Sequence, residues 1–136
     1  MATITSNTAF KNAILDATPD INTMFNGGTI TIRTGTAPGA GNSATGTVLA
    51  TFTVGAAQWA ASSSGARALT ATITDSSADN TGTAGHFRLV SDTPGTYVLE
   101  GDATAIGGGG AMELITTSII ATQPVDLTQF TFTLGH

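Results

Sequence analysis

Two imidazoles, nine carboxylates and many hydroxyls are the chain's stock for chemistry, and their spacing limits what they can do. Nucleophilic hydrolysis needs a Ser or Thr activated by a base that a third group orients. Serines are plentiful, as at Ser62-Ser63-Ser64, but the only imidazoles are His86 and the terminal His136. Gly41-Asn42-Ser43-Ala44-Thr45 fails the nucleophile-elbow pattern at its last glycine. His86 alternates with Phe87 and Leu89 and reads as an exposed strand histidine. Paired carboxylates for glycoside cleavage would have to be Glu100, Asp102 and Glu113 gathered by folding. Glu100-Gly101-Asp102 reads more naturally as the end of a strand.

The ligand-binding patterns are equally incomplete. Gly39-Ala40-Gly41-Asn42-Ser43-Ala44 fits a dinucleotide fingerprint in letters, but a strand follows it where a helix N-terminus is needed to meet the pyrophosphate. Gly107–Gly110 lacks the Lys-Ser/Thr of a phosphate loop and reads as a flexible turn. Asp75, Asp79 and Asn80 before Gly82 resemble part of a calcium loop without its closing bidentate Glu. With no Cys, neither thiolate ligands nor disulfides exist. No metal or cofactor is expected. Sugar-binding sandwiches stack rings on Trp or Tyr, and only Trp59 and Tyr97 are present. Trp59, flanked by small residues, suits either a core or a protein interface.

The elements that must position these groups divide at Gly27-Gly28. Before it, Phe10, Ala13, Ile14 and Ala17 repeat at helical spacing, predicting a short amphipathic helix over 8–17 that Ser6 or Asn7 caps and Thr18-Pro19 stops. Residues 1–7 form a polar arm. Ile21, Met24 and Phe25 suggest one more helical turn within a helical segment 8–26, closed by Asn26-Gly27-Gly28. From there to residue 136 the period becomes two. Candidate strands are Thr29–Thr34, Thr47–Val54, Ala56–Ala60, Ala68–Thr74, Ala84–Val90, Thr96–Glu100, Met112–Ala121 and Leu127–Leu134. Intervening loops are Gly35–Gly46, Asp75–Gly82 and Asp102–Gly110. The expected fold is therefore all-β, a single-domain antiparallel sandwich of jelly-roll or Greek-key type with about eight strands and a short N-terminal helix.

Charge narrows the partners. Only 10% of the 136 residues are charged, against about 25% in an average globular protein, and 27 threonines fill much of the gap. The net charge of −5 repels phosphate backbones and anionic lipid, so neither nucleic acid nor a membrane surface is an expected partner. The N-terminus lacks a signal-peptide pattern, so a cytosolic site of synthesis is expected.

Several segments carry a family likeness: Gly27-Gly28-Thr29-Ile30-Thr31-Ile32-Arg33-Thr34-Gly35-Thr36-Ala37-Pro38, Leu49-Ala50-Thr51-Phe52-Thr53 and Asp79-Asn80-Thr81-Gly82-Thr83-Ala84-Gly85-His86-Phe87-Arg88-Leu89. Leu114-Ile115-Thr116-Thr117-Ser118-Ile119-Ile120-Ala121 and Phe130-Thr131-Phe132-Thr133-Leu134 complete the set. In this order they resemble the small cement or decoration proteins that coat the capsids of tailed bacteriophages. The resemblance implies a non-enzymatic virion protein on the outer capsid surface, synthesised in the host bacterial cytoplasm, that bridges major capsid protein subunits. It also implies self-association; a dimer is favoured slightly over a trimer because two-fold interfaces are commonest. Candidate contact residues are Phe10, Ile14, Leu15, Met24, Phe25 and Trp59, which suit a core equally well. The competing expectations are a phage tail or baseplate protein and a carbohydrate-binding domain using Trp59, Tyr97 and the acids.

Overall fold

The computed structural model describes residues 4–8, 10, 21–61, 66–92 and 97–133. The described residues are all-β with almost no helix. Its described strands are β1 (Ile4–Ser6), β2 (Thr29–Thr34), β3 (Val48–Thr53), β4 (Ala66–Ala68), β5 (Ile73–Asp75), β6 (Gly82–Val90), β7 (Val98–Ala105), β8 (Met112–Leu114), β9 (Ser118–Ile119), β10 (Val125–Leu127) and β11 (Gln129–Thr133). The main sheet runs β3-β2-β6-β7-β8-β11-β4, with β1 added to β7 and β9 to β6, while β10 and β5 form a separate ribbon.

This sheet is a curled half-barrel. Register shifts on both sides of Arg33, against β3 and against β6, bend β2 as bulges do. The ribbon packs on this sheet, β5 lying against β3 and β10 against β8. Alternation explains β2 and most of β3: Ile30, Ile32, Ala50 and Phe52 are buried while Thr51 and Thr53 are exposed, and Leu49, also buried, lies on the opposite face of β3. Across the strands Ile32 faces Phe87, and Ile30 and Leu99 both face Leu89, so one face is continuous apolar core. Each such side chain contributes about 1.5–3 kcal/mol by burial.

One pair departs from the antiparallel expectation: β8 runs parallel to β7, with Ala103 opposite Met112. Parallel neighbours ordinarily need a connection of about a dozen residues or more. Here residues 106–111 suffice, because Gly107 and Gly109 take φ of 87° and 80°, where a side chain would be strained. The loop is tied rather than flexible. Glu113 Oε2 accepts the Gly107 N–H at 2.6 Å, Thr104 Oγ1 accepts that of Gly110 and Asp102 Oδ1 that of Ala111.

Most of the candidate contact residues turn inward. Phe10, Met24, Phe25 and Trp59 are buried in the chain's own core, Phe10 against Phe25 with ring centres 5.9 Å apart. They share one core cluster with the apolar face of the sheet, which removes their area from water. Ile14 and Leu15 lie outside the described residues, as does most of the expected helix. Its start is visible: Thr8 and Phe10 have helical backbone and Asn7 Oδ1 accepts the Phe10 N–H at 3.0 Å, the expected cap. The further turn is α1 (Ile21–Phe25), ended by Gly27 at φ 78°. Residues 4–6 of the arm are not free, since β1 pairs with β7.

Several strand expectations change: Glu100-Gly101-Asp102, expected to end a strand, lies inside β7, and Leu127–Leu134 breaks at Thr128 between β10 and β11. Ala56–Ala60 contributes only a bridge from Trp59 to Leu69, beside the Asn22 side chain, which pairs with both backbone groups of Trp59 at 2.8 and 2.9 Å. Ala68–Thr74 divides between β4 and β5, and Met112–Ala121 divides into β8 and β9 at residues 115–117.

Candidate functional site

The residues with the most chemical potential are gathered, but into a lock rather than an open cleft. Register places His86 opposite Asp102 and Arg88 opposite Glu100, with Thr5 beyond Glu100 on β1. This is the non-core face of β6 and β7. The loop 35–46 lies across it. Glu100 is fully buried; its carboxylate pairs with the Arg88 guanidinium and accepts the Gly39 N–H at 3.0 Å. Arg88 Nη2 donates to the Asn42 carbonyl at 2.9 Å, and Thr5 Oγ1 accepts the Ala40 N–H at 3.2 Å.

His86 is likewise buried, at 0% exposure, which corrects its expected place on a solvated face. Its Nδ1 lies 2.9 Å from the Gly35 carbonyl, so Nδ1–H is the donor, while Nε2 has no hydrogen-bond partner among the described residues. The neighbouring Gly85 admits this contact, because a Cβ there would lie 2.2 Å from Gly35 O. The fingerprint-like glycines 39–41 thus belong to a covering loop whose first N–H serves a carboxylate of the same chain.

The other candidates do not converge. Asp75 and Asp79 both turn to Thr51, and among the described residues no three His, Asp or Glu side chains could together hold a metal ion. Glu113 is engaged by its glycine loop. Trp59, 1% exposed, presents no face on which a sugar could stack.

A different surface stands open. Ile106, Ile115 and Ile120 are the exposed large hydrophobic residues among those described, at 52%, 64% and 58%. Ile115 and Ile120 line a groove of about 270 Å³ between β8, β9 and β10, together with the buried Leu114 and Ile119, with Pro124 and Val125, and with the polar Thr116, Ser118, Gln123 and Asp126. Ile106 is adjacent, its N–H bonded to the Leu114 carbonyl at 2.9 Å. The groove is smaller than the roughly 300–1,000 Å³ typical of sites for drug-sized ligands, and suits a protein side chain. Sequence reading missed it because an unbroken strand 112–121 would put Leu114 and Ile120 on the same face. The break reverses the parity, so Leu114 and Ile119 point in and Ile120 points out. The polar run Thr116-Thr117-Ser118 was the available signal.

The groove's rim is held under strain. Thr122, β-branched, takes φ 69° in the turn closed by the Gln123 N–H to Ile120 carbonyl bond. Two bonds to Ala78 hold it there: Thr122 N–H to the Ala78 carbonyl and Ala78 N–H to the Gln123 carbonyl, both 2.9 Å. Thr122→Gly is expected to raise stability by about 1 kcal/mol by removing that strain, measured as a higher urea midpoint. A lower midpoint would mean that the threonine side chain contributes more than its backbone costs.

No family model, no curated protein and no solved structure matches this chain.

Proposed function

We propose that the chain is a structural protein of a bacteriophage particle, a cement or decoration protein that binds the outer capsid surface and bridges major capsid protein subunits without catalysing a reaction. The observation that carries this reading is the pair of exposed isoleucines, Ile115 and Ile120, in an open groove of mixed polarity on a charge-poor sheet. Apolar surface of this kind marks sites of protein association. Few charges lower the cost of desolvating the rest of a contact. The segment resemblance to decoration proteins supplies the partner. In the same reading the curled sheet and its β5–β10 ribbon form an open jelly-roll-type sandwich.

Repetition over a shell makes modest contacts sufficient, since linked copies gain from effective concentration. Sedimenting the purified chain with emptied, expanded shells of the phage that encodes it tests the reading. Saturable binding at a fixed ratio to the major capsid protein is expected. Absence of binding, with the chain located in the tail by microscopy, would move the protein to the tail or baseplate.

A further inference from the structure

We infer that the groove between β8, β9 and β10 receives a segment of the partner protein that presents a branched aliphatic side chain next to a Lys or Arg. The inference depends on the capsid reading only for the partner's identity. The argument for the occupant is charge complementarity. Every described arginine is spent inside the chain: Arg33 on Thr31, Thr45 and Gly46, Arg67 on the Ala60 carbonyl, and Arg88 on Glu100 and Asn42. Glu100 is neutralised in the interior, whereas Asp75, Asp79, Asp92, Asp102, Glu113 and Asp126 are exposed or half-buried.

At the groove itself the charge is Asp126. Its Oδ1 accepts the Thr74 hydroxyl at 2.6 Å, which fixes the carboxylate and leaves its second oxygen for a cation. A second copy, whose described arginines are engaged within their own chain, is poorly suited to supply that cation, and two groove edges set face to face would oppose Asp126 to Asp126. The volume fits one aliphatic anchor, with Ile115 and Ile120 as its walls. Such an anchor in a pocket is the usual energetic centre of a larger contact.

The test is a titration of the isotope-labelled chain with the acetylated peptide Gly-Lys-Leu-Lys-Gly, followed by amide chemical shifts. Shifts confined to residues 114–126 are expected, at least fivefold weaker with Gly-Glu-Leu-Glu-Gly, at least threefold weaker in Asp126→Asn and lost in Ile120→Ser. Equal response to both peptides, shifts elsewhere, or none would overturn the inference. Ile120 is exposed, so its substitution leaves the core intact. Shell sedimentation separates the two claims. If shells bind the Ile115→Ser/Ile120→Ser chain as tightly as the native one, the groove inference falls and the capsid reading stands. If shells bind neither, the capsid reading falls and the peptide titration alone decides the inference.

Discussion

Glu100→Ala is expected to lower the free energy of unfolding by about 3–5 kcal/mol, the usual cost of removing one partner from a buried ion pair. The fully buried carboxylate serves Arg88 and the Gly39 N–H together, so its loss strands a cation and a backbone donor in the same place. Attraction between the charges is not what makes the deletion expensive. The expense is desolvation left without compensation. Arg88→Met combined with Glu100→Met should therefore cost less than Glu100→Ala alone, since no orphan charge remains. Urea unfolding of the three chains checks this, and hydrogen exchange locates it: the Gly39 and Ala40 amides should lose protection first in Glu100→Ala. A double variant less stable than the single would mean that the pair contributes net stability.

Trp59→Ala is expected to cost a similar 3–5 kcal/mol, through the cavity it leaves. The indole packs edge-on against Phe130, with ring centres 6.0 Å apart at 80°, and Phe130 packs in turn on Phe87 at 4.8 Å. Trp59→Phe should recover most of the loss. The indole Nε1 is buried and has no partner among the described residues, so phenylalanine gives up no hydrogen bond. Because Trp59 is the sole tryptophan, its fluorescence reports the site without labels. Blue-shifted emission resistant to acrylamide is expected, and free quenching would place the ring at the surface. With total stability ordinarily about 5–15 kcal/mol, either deletion consumes a large fraction of it.

How much of this was legible beforehand follows from what each residue depends on. β2 and β3 could be read because Ile30, Ile32 and Phe52 alternate with threonines, a local pattern that needs no knowledge of the rest of the chain. α1 was readable from Ile21, Met24 and Phe25 with the glycines after them. Glu100 was read as a strand end, although β7 continues past it, and His86 was misread because alternation assigns polar residues to a solvated face. That face is covered by a loop attached some fifty to sixty residues earlier in the chain. No local pattern encodes such a cover, although two charges of opposite sign in neighbouring strands are its natural anchors.

The groove failed for another reason. A three-residue break at Ile115, Thr116 and Thr117 reverses which side chains face inward, and counting alternate positions straight across it exchanges core for surface. The bulky residues Phe10, Met24, Phe25 and Trp59 then drew attention as contacts, when burying their area in the chain itself was the larger gain. The parallel β7–β8 pair depended on glycine φ angles that composition alone leaves open.

A density map of the purified virus particle in which the chain is proposed to reside tests the central claim most directly. The account predicts many symmetry-related copies on the outer shell, each with Ile115 and Ile120 set against a major capsid subunit beside a basic residue. Density for the chain only in the tail, or a complete particle without it, would contradict the account.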